Sequence, residues 1–234
     1  MRAIVIGSTG GIGSALVAAL VDRGDDVTAL ARSPRAGLAA TTSGSIDIAR
    51  EDSIAAAAAR LAETAPFDLM LVATGLLHRP GLAPEKSLRA LSADGLSDYF
   101  RVNATGPALV AKHFLPLLAP DRRSLFAALS ARVGSISDNR LGGWYGYRAS
   151  KAALNMLIRT AAIELARTRP HAIVVTLHPG TVDTALSAPF QRNVAPDKMF
   201  TPAFAAASLL DVLAALTPAD SGACFDWRGE RIAP

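Results

Sequence analysis

The sequence predicts a three-layer α/β fold: a doubly wound parallel sheet of about seven strands, flanked by helices, in a single domain. Three observations carry that prediction. Short runs of aliphatic and β-branched residues recur as continuous apolar stretches rather than alternating ones, the pattern of strands covered on both faces. Alanine-rich stretches with helical spacing separate them, and alanine favours helices that pack closely on a sheet. No internal repeat and no long linker divides the 234 residues, a length that one α/β unit accommodates.

The elements follow in order. Ala3 to Ile6 is the first strand and ends at Gly7; helical apolar spacing from Ala15 to Val21 then runs up to the stop signal Arg23-Gly24. Val27 to Ala31 is the second strand, and the loop Ser33-Pro34-Arg35-Ala36-Gly37 closes a first βαβ unit. Ser45 to Ile48 reads as a short third strand, and Asp52 to Glu63 as a helix with Asp52 or Ser53 at its N-cap. Phe67 to Ala73 is a continuous buried strand. After a loop from Arg79 to Pro84, helical material runs with breaks from Asp94 to about Leu118. Ser124 to Leu129 is the next strand, Tyr147 to Arg167 a long helix and Ile173 to Leu177 a strand. Pro202 to Leu216 is another alanine-rich helix, and Cys224 to Asp226 the last short strand.

Composition narrows the function classes. Half the residues are hydrophobic and 19% are charged, enough for a buried core and too little charge for a disordered chain. Lys and Arg number 24 against 20 Asp and Glu, but the excess of +4 is scattered, with no block of like charge and no interleaved aromatics. That argues against a nucleic-acid surface. The single cysteine, Cys224, excludes an internal disulfide and a cysteine-based zinc site, so no metal is expected. The opening MRAIVIGSTGG enters a strand at once without the apolar core of a signal peptide, and no run approaches the roughly 18 apolar residues of a membrane span. A cytoplasmic location and no membrane partner are expected.

Gly7-Ser8-Thr9-Gly10-Gly11-Ile12-Gly13 joins the first strand to the first helix. A glycine turn there brings backbone amides close to a pyrophosphate, whose charge is favoured at a helix N-terminus. The GxxxGxG spacing resembles the short-chain dehydrogenase/reductase family, which implies a Rossmann fold and a nicotinamide dinucleotide. The same resemblance assigns Asp47 and Ile48 to the adenine, and Ala73-Thr74-Gly75 to the position of the family's Asn-Ala-Gly. At the end of the second strand an acidic residue would bind both ribose hydroxyls of NAD. Here Ala31 and Arg32 stand, with Ser33 and Arg35 close by, so the expected cofactor is NADP, with NAD as the alternative.

Tyr147 and Lys151 in Tyr147-Arg148-Ala149-Ser150-Lys151 are four apart and share one helix face, where the lysine can lower the phenol's pKa. Their spacing after the glycine turn, and the continuation Ala152-Ala153-Leu154-Asn155, resemble the family's catalytic segment. By that resemblance Asn103, in Arg101-Val102-Asn103-Ala104-Thr105-Gly106, is the helix asparagine of the proton relay. Pro179, Gly180, Val182 and Thr184 belong to the segment that meets the nicotinamide carboxamide. One member departs from the pattern. The family has Ser-Ser-x-x-Gly at the end of the fifth strand, its second serine polarising the substrate carbonyl, whereas this chain reads Ser130-Ala131-Arg132-Val133-Gly134. Ser130 is retained as the catalytic serine, with Ser135 and Ser137 as further candidates, although a regular strand turns Ser130 to the other face.

The resemblance covers nearly the whole chain, and the segment Ala131 to Ile136 with Gly142-Gly143-Trp144-Tyr145 is similar to the branch of C-factor-like and carbonyl-reductase-like proteins. It implies hydride transfer between NADP or NAD and a small carbonyl or alcohol substrate, with Tyr147 as proton donor. It also implies a substrate lid near residues 185–200, with Trp144, Tyr145, Phe190 and His178 as candidate pocket residues, and a homo-oligomer formed through the helix carrying Tyr147. The second reading, kept open by Ala131, is a dinucleotide-binding redox sensor or signalling factor with little turnover.

Overall fold

The computed structural model describes residues 1–34, 40 and 42–234. Seven strands form one sheet, β1 (Arg2–Ile6), β2 (Asp26–Ala31), β3 (Thr42–Ser45), β4 (Leu69–Val72), β5 (Ser124–Leu129), β6 (Ala172–His178) and, last in the chain, β9 (Cys224–Asp226). Their order is β3-β2-β1-β4-β5-β6-β9 and every pair is parallel. The chain winds outward in one direction from β1 to β3, then returns to pair β4 on the other side of β1. Loops leaving the carboxyl ends of β1 and β4 therefore diverge and open a crevice between them, the place where such sheets bind ligands.

Helices cover both faces, as the continuous apolar strands require. On one face α1 (Gly11–Asp22) and α6 (Pro202–Ala215) bury Leu16, Leu20, Leu209 and Leu213 against Val5, Leu71 and Val175. On the other, α2 (Glu51–Ala62), α4 (Gly106–Phe114) and α5 (Tyr145–Leu165) bury Ile54, Phe114, Leu154 and Ile158 against Ile4, Met70, Phe126 and Val174. Apolar residues thus alternate between two cores along the central strands β1, β4, β5 and β6.

Two expectations are corrected, the third strand and the start of α2. The third strand is Thr42–Ser45, not Ser45 to Ile48: Ile46 N–H still donates to Ala31 O, but β2 ends there and leaves nothing further to pair with. Asp47 and Ile48 accordingly lie in the turn that follows. α2 starts at Glu51 with Arg50 at the N-cap, and neither Asp52 nor Ser53 caps it. The Asp52 carboxylate takes Arg50, while the Ser53 hydroxyl accepts Asp47 N–H at 2.9 Å. The helical stretch with breaks is found as expected: α3 (Ala93–Phe100), a π-helical turn at Arg101–Thr105 and then α4. Finally, two short parallel strands not expected from the sequence, β7 (Thr181–Val182) and β8 (Met199–Phe200), pair at the stem of the segment between them.

Candidate active site

The turn after β1 is drawn inward by backbone bonds, Gly7 N–H and Ser8 N–H both donating to Leu30 O at 2.8 and 3.1 Å. Two of its glycines are dictated by space. Gly7 lies at φ 87, with its missing Cβ position 2.9 Å from Ala73 O, and a Cβ on Gly13 would stand 2.1 Å from Gly7 O. Gly11 is close-packed as well: a Cβ there would meet Thr184 Cγ2 at 2.5 Å, so the turn touches the segment after β7.

A cavity of about 390 Å³ opens at the carboxyl ends of β1, β4, β5 and β6. Of the residues singled out in the sequence, its wall contains Gly11, Ile12, Ala73, Thr74, Gly75, Ser130, Tyr147, Lys151, Pro179, Gly180, Val182 and Thr184. Trp144, Phe190 and His178 line it too, while Tyr145 does not. Gly7, Ser8, Thr9 and Gly13 form the turn behind that wall. Asn103 lies at the back as well, fully buried, in the π turn. Arg32, Asp47 and Ile48 stand apart, beyond the ends of β2 and β3. Arg32 is exposed and forms no ion pair with a described residue; Arg35 lies outside the described residues. The Asp47 carboxylate accepts Ala49 N–H at 3.0 Å and Ile48 is buried.

α5 brings Tyr147 and Lys151 to the cavity floor, 8% and 2% exposed. Lys151 Nζ donates to Leu129 O at 2.7 Å and lies 5.8 Å from the Tyr147 ring centre. Burial pulls the Lys151 ammonium down to about 8 and pushes the Tyr147 phenol up to about 12. Desolvation, with Tyr99 adding to it, sets the direction of the phenol's shift, and Tyr147 is protonated at ordinary pH. Asn103 spends its amide on the loop after β4: Leu76 N–H donates to its Oδ1 at 2.7 Å, and its Nδ2 donates to Leu76 O at 2.8 Å and to Ser150 Oγ at 3.2 Å. This fixes Gly75, whose missing Cβ position lies 3.8 Å from Asn103 Oδ1 and 4.0 Å from Lys151 Nζ.

Ser130 belongs to the cavity wall, but its hydroxyl is engaged elsewhere. Ser130 Oγ donates to Asn155 Oδ1 at 2.7 Å, and Thr176 Oγ1 donates to the same oxygen at 3.0 Å, so the Ser130 proton is committed to the α5 side of the sheet. Ala131 is the residue that packs with Tyr147, beside Leu77 and Tyr99. Ser137 Oγ donates to Pro234 O at 2.6 Å, and Ser135 Oγ bonds the same oxygen at 3.4 Å. His178 lies beside Arg132, Asp226 and Lys151; burial, helped by the two cations, pulls its imidazole down to about 4, so it is neutral at ordinary pH.

The residues fit a dinucleotide. Among the described residues, the buried hydroxyls Ser8 Oγ and Thr74 Oγ1 and the ring nitrogen His178 Nδ1 have no hydrogen-bond partner, and a buried polar atom without one is costly. The two hydroxyls flank Gly7, where the backbone approaches most closely, as a phosphate or ribose oxygen would require. What sequence reasoning missed is mostly backbone: the Leu129 carbonyl that holds Lys151, and the Leu76 amide group that holds Asn103, carry no side-chain signal. Ser150, bonded to Asn103, was visible only as a small residue inside the YxxxK spacing.

The sequence profile of the family described as short chain dehydrogenase matches residues 1–195. The chain belongs to this family. This short-chain dehydrogenase is 32% identical over 222 residues to the 1-hydroxy-2-glutathionyl-2-methyl-3-butene dehydrogenase of Rhodococcus sp. strain AD45, a match covering 94% of this chain and 93% of that one. It is 38% identical over 134 residues to the C-signal protein of Myxococcus xanthus, covering 57% and 75%. Among solved structures, the NADPH-bound carbonyl reductase from chicken fatty liver superposes with a TM-score of 0.85 at 25% identity, covering 100% of this chain and 98% of that one. A short-chain dehydrogenase/reductase from Burkholderia multivorans with bound NADP gives a TM-score of 0.83 at 28% identity, covering 100% and 99%. These relatives bear out the C-factor-like and carbonyl-reductase-like branch. No helix among the described residues is long and apolar enough to cross a membrane.

Proposed function

We propose that this protein is an NADP-preferring oxidoreductase that interconverts a small carbonyl compound and its alcohol. The observation that carries the reading is the buried Tyr147 and Lys151 pair on the floor of a cavity whose other wall is the close-packed glycine turn. The NADPH-bound and NADP-bound structural neighbours support the cofactor. Gly7, Ser8, Thr9, Gly11, Ile12, Gly13 and Thr74 would hold the phosphates and adjacent ribose. Arg32 would take the 2′-phosphate, with Asp47 and Ile48 near the adenine and Ala73 and Gly75 behind it. Pro179, Gly180, Val182 and Thr184 would face the nicotinamide. When bound, that group supplies or accepts the hydride.

The chain's own residues handle the proton. Tyr147, kept protonated by burial, donates to the substrate carbonyl oxygen in reduction and accepts from the alcohol in oxidation. Lys151 puts a cation beside the phenolate that forms, where a charge in a desolvated site counts most. Asn103 secures Leu76 and so the wall next to Lys151. The segment from 183 to 198, clamped at its stem by β7 and β8, closes the cavity over the substrate and excludes water. Ala131 offers no hydroxyl to the carbonyl, and the Ser130 hydroxyl donates to Asn155. That absence favours a second reading, a dinucleotide-binding sensor with little turnover.

The experiment is an assay of NADPH and NADH oxidation against a panel of aldehydes and ketones, with alcohols in the reverse direction. The Rhodococcus relative is named for a hydroxyl-bearing glutathionyl compound, so glutathione conjugates belong in the panel. Turnover with NADPH preferred is the expected result. Tight dinucleotide binding with silence across the panel supports the sensor instead, and a clear preference for NADH overturns the role of Arg32.

A further inference from the structure

α5 begins on a residue that cannot cap it. Its N-cap is Trp144, whose indole has no acceptor for the first-turn N–H groups. Trp144 is also, among the described residues, the one non-glycine at positive φ, 54°, and it follows Gly142 and Gly143 at 63° and 65°. A bulky side chain keeps that backbone only where its surroundings impose it. Glu85, from the loop after β4, imposes it. The Glu85 carbonyl accepts Trp144 N–H at 2.5 Å, and its Oε2 accepts Gly146 N–H at 3.1 Å. Glu85 is 6% exposed, and its carboxylate forms no ion pair with a described residue, so its charge faces the positive end of a 21-residue helix. Gly146 is shaped to this contact: a Cβ would stand 2.9 Å from Glu85 Oε1 and 2.4 Å from Tyr99 Cδ2.

The consequence reaches the cavity mouth. Trp144 meets Tyr147 edge-on with ring centres 6.1 Å apart and Phe190 of the 183–198 segment at 5.2 Å. Trp144 is thus the wall between the phenol and that segment, and Tyr147 is only the third residue of the helix that Glu85 caps. We propose that Glu85 is a positioning residue that holds Trp144 beside Tyr147, and that the Trp144 and Phe190 wall selects flat aryl carbonyl compounds over small aliphatic ones. The selectivity rests on the carbonyl-reducing reading above; the positioning does not.

The chain has two tryptophans, so Trp227→Phe leaves Trp144 as the sole indole reporter, readable without any substrate. In that background Glu85→Ala is expected to red-shift Trp144 emission and raise its acrylamide quenching about twofold. Glu85→Asp, which cannot reach Gly146 N–H, does the same to a smaller extent should the alanine variant fail to fold. Glu85→Gln, which keeps the acceptor oxygen, restores most of both signals. In turnover, Glu85→Ala or Glu85→Asp raises KM for an aryl ketone about tenfold with kcat within a factor of about three, leaving KM for a short aliphatic aldehyde within about twofold. Trp144→Gly, well suited to the left-handed backbone, keeps the fold and shows the same split. Unchanged quenching in the alanine and aspartate variants overturns the positioning role. An equal rise in KM for both substrates overturns the selectivity. If the wild type reduces no carbonyl at all, the function reading and its selectivity fall, while the fluorescence still decides Glu85.

Discussion

The two ends of the cavity are built by different means. At the β1 turn the chain's own backbone forms the wall: Gly13 has no room for a Cβ, its position being 2.1 Å from Gly7 O, and Gly7 requires the left-handed region. At the other end side chains form it: Ala131 packs with Tyr147, and Trp144 meets Tyr147 and Phe190 at ring distances of 6.1 and 5.2 Å. A backbone wall tolerates almost no change, because a close approach is a hard-sphere contact. A side-chain wall repacks at a cost of about 1–3 kcal/mol. Such a molecule keeps one invariant ligand at the first end while the second end is free to vary its substrate.

The largest effect that separates the ends is expected from Tyr147→Phe. Turnover falls by about three to four powers of ten while dinucleotide affinity, read by fluorescence titration, stays within about twofold. Retained turnover breaks the assignment of the phenol; lost binding breaks the separation of the ends.

Next comes Lys151→Met, which tests the group lying between them. Between about 8 and the ordinary 10.5 the unfolded chain keeps a proton that folded Lys151 has lost, so its burial destabilises the fold below pH 8 and the penalty fades as pH rises to 10.5. The methionine variant is expected to be up to about 3 kcal/mol more stable at pH 7 by urea denaturation, with that gain vanishing near pH 10.5 and activity lost. A gain independent of pH contradicts the buried cation.

Ala131→Ser acts on the substrate end alone. Restoring a hydroxyl beside Tyr147 is expected to raise kcat by one to two powers of ten, roughly the lower part of what such donors supply elsewhere. No change places the carbonyl away from position 131. The smallest effect belongs to the far cofactor end, where Arg32→Ala is expected to raise KM for NADPH about tenfold and leave KM for NADH unchanged. An equal rise for both removes the 2′-phosphate contact.

Much of this was legible in the residues. The strands Ser124–Leu129 and Cys224–Asp226 were read to the residue because apolar runs bounded by polar loops have one buried solution. The third strand was misplaced because Thr42–Ser45 is polar and held only by pairing with β2, and the β7 and β8 ribbon because two-residue strands have no period. In the site, Tyr147, Lys151 and the glycine turn were visible because their chemistry needs those side chains at that spacing. Glu85 was not: a carboxylate in a loop reads as solvated, and only the arrival of Trp144 and Gly146 from across the fold makes it a cap.

The sequence by itself determined the alternation of strand and helix, the glycine turn and the Tyr147 to Lys151 spacing, since each is a local demand of backbone sterics or helix period. Only the tertiary structure decided that the Ser130 hydroxyl bonds Asn155, that Ala131 packs with Tyr147, and that burial raises the phenol's pKa. Those outcomes depend on which residues from distant segments meet and how much water they exclude, and no local stretch of chain carries that information.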